Sequence, residues 1–100
     1  MTPSEHALLK AISLVTGLPM NRIILPANKR PTKRSECDAR ALALLAGRSL
    51  WPERPVTHLG EFIGMAKSGA CIGLQRGNLR FKHDKNFRAL AIRLFQEIQS

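Results

Sequence analysis

The stretch KNFRALAIRLFQEIQ places Phe87, Leu90, Ala91, Leu94, Phe95 and Ile98 at i, i+3, i+4, i+7 spacing. Side chains spaced in this way share one face of a helix and cannot share one face of a strand. A stripe this apolar has to be buried against other elements, so it sets the character of the whole chain. No segment alternates apolar and polar residues for long enough to make a strand. The expected fold class is all-α, a compact cluster of five or six helices. The 100 residues form one expected domain, 1–100. A domain of this size buries only about two-thirds of its unfolded surface, so it needs every apolar face it has.

The other helices follow from similar signals. In TPSEHALLKAISLVTG, Thr2 or Ser4 can cap the N-terminus, Pro3 suits the first helical position, and Gly17 is a stop. Leu8, Ile12 and Val15 form its apolar line. Three prolines (Pro19, Pro26 and Pro31) interrupt the next stretch and leave room only for a short helix around Asn21–Leu25. SECDARALALLAGRSL is a second strong helix, with Ser35 as expected N-cap and Glu36 and Asp38 in the first turn. Its inner face is expected to carry Ala39, Leu42, Ala43, Ala46 and Leu50, with Arg40 on the opposite side. WPERP reads as a loop, and Trp51 as a core plug or a partner contact, with the core favoured. VTHLGEFIG reads as a short helix with Leu59, Phe62 and Ile63 inward and Gly64 as its end. ACIGLQRGNLR reads as another helix, broken by FKHD, and Asp84 is the expected N-cap of the last one.

Charge is the second constraint. Sixteen Lys and Arg against seven Asp and Glu leave a formal net charge of +9. A field of that sign draws polyanions. The bases are not spread evenly: ANKRPTKR holds four of them, and 26–34 reads as a basic arm. Between Lys67 and Ala89 six Lys or Arg meet one acid, Asp84. Cys37 and Cys71 form no CxxC pair, and His6, His58 and His83 are scattered, so no metal site or cofactor is expected. Both cysteines are expected to be small buried residues in a reducing compartment. The carboxylates sit mostly at helix starts, where capping accounts for them, so no enzymatic activity is expected. No apolar run approaches the length of a membrane span, and MTPSEHALLK has no signal-peptide core. A cytoplasmic, nucleoid-associated protein is expected.

A short helix over 56–64, a glycine, a turn and a second helix over about 68–80 make a helix-turn-helix order. In such units the second helix enters the major groove and its first residues meet base edges. Lys67 and Ser68 stand at that N-terminus, and Gln75 lies within the helix, where glutamine suits adenine. These three are the candidate base contacts. Arg76, Arg80 and Lys82 follow as phosphate contacts. Gly73 would allow close approach either to a duplex or to the helix beneath.

SECDARALALLAGRSL followed by VTHLGEFIG resembles the C-terminal DNA-binding domain of the bacterial replication initiator DnaA. That family shows a helix of the type A-R-Q-x-A-M-Y-L-A-R-E-L, then S-L-x-E-I-G-x-x-F-G, a turn and a recognition helix. Ala39–Leu50 and Val56–Gly64 correspond to the two motifs. The resemblance implies a Trp-repressor-like helical cluster that binds double-stranded DNA. It implies that Arg40 approaches phosphate, and that the basic stretch supplies minor-groove or phosphate contacts from Lys29, Arg30, Lys33 and Arg34. It does not carry over the family's sequence specificity. The D-H-T-T-V signature is replaced by KSGAC, Lys67–Cys71, and the glutamine beside the arginine is Ala41. No Walker motif of the family's ATPase domain occurs. A regulator of transcription or replication is the leading expectation. The alternative is a protein–protein adaptor that keeps the fold without sequence-specific readout.

Overall fold

The computed structural model describes residues 2–25 and 33–99. Five α-helices are found among them: α1 (Pro3–Thr16), α2 (Met20–Ile23), α3 (Arg34–Leu50), α4 (Lys67–His83) and α5 (Lys85–Gln99). Between α3 and α4 the chain makes two 3-10 turns, Val56–His58 and Glu61–Ile63. No strand occurs among the described residues, so the all-α class holds.

Helix α1 begins on a capping box. The Thr2 hydroxyl accepts from the Glu5 N–H at 3.2 Å, and Glu5 Oε1 accepts from the Thr2 N–H at 2.8 Å. Pro3 occupies the first turn, where a missing N–H costs nothing. Gly17 closes the helix in the left-handed region at φ 75°, and its N–H donates to Ser13 O.

The main core joins Leu8, Leu9, Ile12 and Val15 of α1 to Ala39, Leu42, Ala43 and Ala46 of α3, and to Phe87, Ala91 and Leu94 of α5. Ile23 and Ile63 complete it. Leu90, Phe95 and Ile98 pack on its edge, so the α5 stripe lies where its spacing puts it. A second, smaller cluster of Leu44, Leu59, Ala70 and Leu74 fastens α4 to the other side of α3. Trp51 is half-buried on the core edge, its ring edge-on to Phe62 with centroids 6.0 Å apart.

Several sequence expectations are corrected. Val56–Gly64 is two 3-10 turns, not one helix. A nine-residue helix with glycines at positions 60 and 64 cannot recover the cost of nucleation, and of its apolar side chains only Leu59 and Ile63 are fully buried. Helix α4 starts at Lys67 and runs through FKH to His83, because Phe81 still packs against the core. Helix α3 starts one residue before Ser35, with Lys33 as an N-cap whose carbonyl accepts from the Glu36 and Cys37 amides. Leu50 turns outward at the end of α3. Cys37 is exposed and Cys71 half-buried, so neither fills the core.

Gly64 and the α3–α4 crossing fix where α4 stands. Gly64 has φ 81°, and a Cβ there would collide with the Leu25 carbonyl, whose residue donates its N–H to Ile63 O at 3.2 Å. Only glycine allows that turn. On α4, a Cβ at Gly73 would fall 2.6 Å from Leu44 Cδ1, and one at Gly77 3.3 Å from Leu45 Cγ. These glycines therefore serve the helix beneath them, and α4 rides close on α3.

Candidate nucleic-acid interface

Helix α4 has 17 residues and no acid among them. Its inner line is Ala70, Leu74 and Gly77. Lys67, Ser68, Gln75, Arg76 and Lys82 all lie exposed on the outer side. Among the described residues, no carboxylate comes within 4.0 Å of Lys67, Arg76 or Lys82. At the N-terminus the cap is Ala66, which offers no side-chain acceptor. The helix's first backbone bond is Ala70 N–H to Ala66 O. The amides of Lys67, Ser68 and Gly69 therefore lack a helical acceptor and point out of the helix start.

A groove of about 580 Å³ runs between α3 and α4. Arg40, Ala41 and Leu44 form its α3 wall, and Ser68, Ile72 and Arg76 form its α4 rim. The three arginines of this groove differ in what they can offer. Arg76 is exposed at the rim. Arg80 is held inside the protein: Nη1 donates to Asp38 Oδ1, Nη2 donates to Asp84 Oδ2 at 3.1 Å, and the guanidinium lies 4.4 Å from the Phe87 ring centroid. The Asp38 hydrogen bond, reinforced by Asp84, holds its pKa above the ordinary arginine value despite partial burial. Arg40, expected on the outer side of α3, is only 8% exposed. Its nearest described acceptor is Ile23 O at 3.5 Å. Burial pushes its pKa below the usual guanidinium range, yet arginine remains charged at neutral pH. The sequence placed Arg40 outward because its neighbour Ala39 faces in. The α2 segment, which supplies the Ile23 carbonyl, covers it instead.

Asp84 collects four partners. Its Oδ1 accepts from the Asn86 and Phe87 amides at 3.0 and 3.1 Å, the N-cap the sequence anticipated. Its Oδ2 receives Arg80 and also Arg34 at 3.2 Å. The Phe87 amide first, then Arg80, hold this carboxyl below its usual range. Arg34 is thus drawn toward α5, although its side chain stays 79% exposed. Lys33 is exposed beside it. Lys29 and Arg30, with most of the basic arm, lie outside the described residues.

Two residues of this surface escaped the sequence reading. Ile72 is 50% exposed and Leu79 58% exposed. Both were available to it: with the helix start fixed at Lys67, they fall away from the Ala70–Leu74–Gly77 line. Among the described residues no three His, Cys, Asp or Glu side chains gather into a metal site, and no helix is long and apolar enough to cross a membrane. Compared with known proteins, the chain matches no family model, no curated protein and no solved structure.

Proposed function

We propose that this chain is a DNA-binding protein, not an enzyme, that lays α4 in the major groove of a duplex and regulates transcription or replication on the nucleoid. The observation that carries the reading is the acid-free outer face of α4: Lys67 at its start, Arg76 midway and Lys82 in its last turn have no carboxylate within 4.0 Å among the described residues, and the first amides lack a helical acceptor. Phosphates favour such a helix start, and lysine and arginine release counterions from the duplex. The arm joins through Lys33 and Arg34. The Arg34–Asp84 pair is exposed and holds the arginine only weakly, so a phosphate can replace the carboxylate. Arg80 is bound to its two carboxylates and serves to position α4 against α5. The likeness of SECDARALALLAGRSL and VTHLGEFIG to the initiator's DNA-binding domain supports the same reading.

A protein-adaptor role is the second reading, and exposed Ile72 and Leu79 are the observation that favours it. Fluorescence anisotropy with a random-sequence duplex, across a salt series, separates the two. DNA binding is expected to weaken steeply with salt, by a log–log slope of about 0.9 per neutralised phosphate. Lys67→Ala should flatten that slope by about one, and the double change Lys33→Ala, Arg34→Ala by about two. Absence of binding at low salt would rule the DNA reading out.

A further inference from the structure

The outer face of α4 is ordered across its width. Ser68, Ile72, Gln75 and Leu79 follow one another at i, i+4, i+7 and i+11 and therefore form a single line. All four are exposed. The line is uncharged. Arg76 flanks it on the groove side, and Lys67 and Lys82 flank it on the other. Five large apolar side chains are exposed in the described chain, and α1, α3 and α5 carry one each: Leu14, Leu50 and Ile92. Only α4 carries two, one above the other.

Resting on the reading of α4 as the helix that enters the major groove, we propose that Ile72 and Leu79 are its specificity-determining residues and that they recognise thymine C5-methyl groups. A helix seated in that groove turns its central line to the base edges and its flanks to the two phosphate strands. The charge layout of α4 matches this division: cations at both flanks, none on the line. An aliphatic tip on the line has one apolar feature to meet in the major groove, the thymine methyl. Ile72 and Leu79 are seven residues apart, about 10 Å along the axis, which spans roughly three base-pair steps. Gln75 stands between them and suits adenine. The target is then A·T-containing, with two thymines about three base pairs apart and an adenine between.

Replacing thymine by uracil removes only the methyl and keeps charge and hydrogen bonding. Anisotropy titrations would use a 20-base-pair alternating A·T duplex and the same duplex with every thymine replaced by uracil. Wild type should bind the thymine duplex about fifteenfold more tightly, from roughly fourfold for each of the two methyls. In the double variant Ile72→Ala, Leu79→Ala that ratio should fall to about one, with affinity for the uracil duplex unchanged. Alanine is the best helix former, and circular dichroism confirms that the fold is kept. Equal wild-type binding to both duplexes would overturn the methyl assignment and leave the DNA reading standing. No binding to either duplex at low salt would overturn both, and Ile72 and Leu79 would then belong to a protein contact.

Discussion

Helices α4 and α5 are neighbours in sequence, similar in length and joined through Asp84, yet they are specified in opposite ways. Helix α5 carries its own instructions: a regular stripe, a side-chain cap and a place in the main core through Phe87, Ala91 and Leu94. Helix α4 has no capping side chain, and its interior glycines cost about 1 kcal/mol each relative to alanine. It is held by α3, through the Leu44–Leu59–Ala70–Leu74 cluster and the close approach at Gly73 and Gly77. Its exposed aliphatics, Ile72 and Leu79, lie outside that cluster. The lesson is that α5 is shaped by the needs of the core, whereas α4 presents a surface whose composition the core does not explain.

Four measurements test this contrast. Phe87→Ala should cost about 3–5 kcal/mol in urea unfolding, because it empties the largest buried site of α5. Gly64→Ala, at the turn that leads into α4, should cost about 1–2 kcal/mol from the left-handed backbone alone, with more from the collision with Leu25. The third measurement concerns the joint between the two helices. The folded-state pKa of Asp84 lies below its unfolded value. Its contribution is thus complete above the unfolded pKa and is lost as pH falls through the lower, folded one. Asp84→Asn keeps a capping side chain but removes the titration. The acid limb of its stability profile should therefore be shallower than that of wild type, and equal limbs would show that Asp84 does not tie the helices together. Smallest of all, Ile72→Ala should change stability by no more than about 0.5 kcal/mol. A loss approaching that of Phe87→Ala would mean that α4 is a core helix after all.

What could be read from the sequence follows the same division. Thr2, Pro3 and Gly17 marked both ends of α1, and Asp84 marked the start of α5, because capping and stop signals are local chemistry. The start of α4 could not be read in this way, since Ala66 caps with backbone only. The 3-10 turns over 56–63 looked helical because Leu59, Phe62 and Ile63 have helical spacing, while the glycines limit how far a helix can propagate. The outer positions of Lys67, Ser68, Gln75, Arg76 and Lys82 agree with the sequence reading. Arg40 and Arg80 do not, and for one reason: their partners are Ile23 on α2, Asp38 on α3 and the cap Asp84, all set by tertiary packing. No periodicity within a helix reveals a partner supplied by another element.

The separation of charge around α4 has a consequence for approach as well as for contact. Asp38 and Asp84 are turned inward onto Arg80, while the outer line of α4 is bordered only by cations. This face of the molecule is therefore one-sided in charge. A polyanion arriving from a random direction exerts a torque on it before the surfaces meet. On the proposed DNA reading more encounters would be productive, and the gain would fall on the association rate and fade with added salt, leaving the lifetime of the complex to the side chains at its centre.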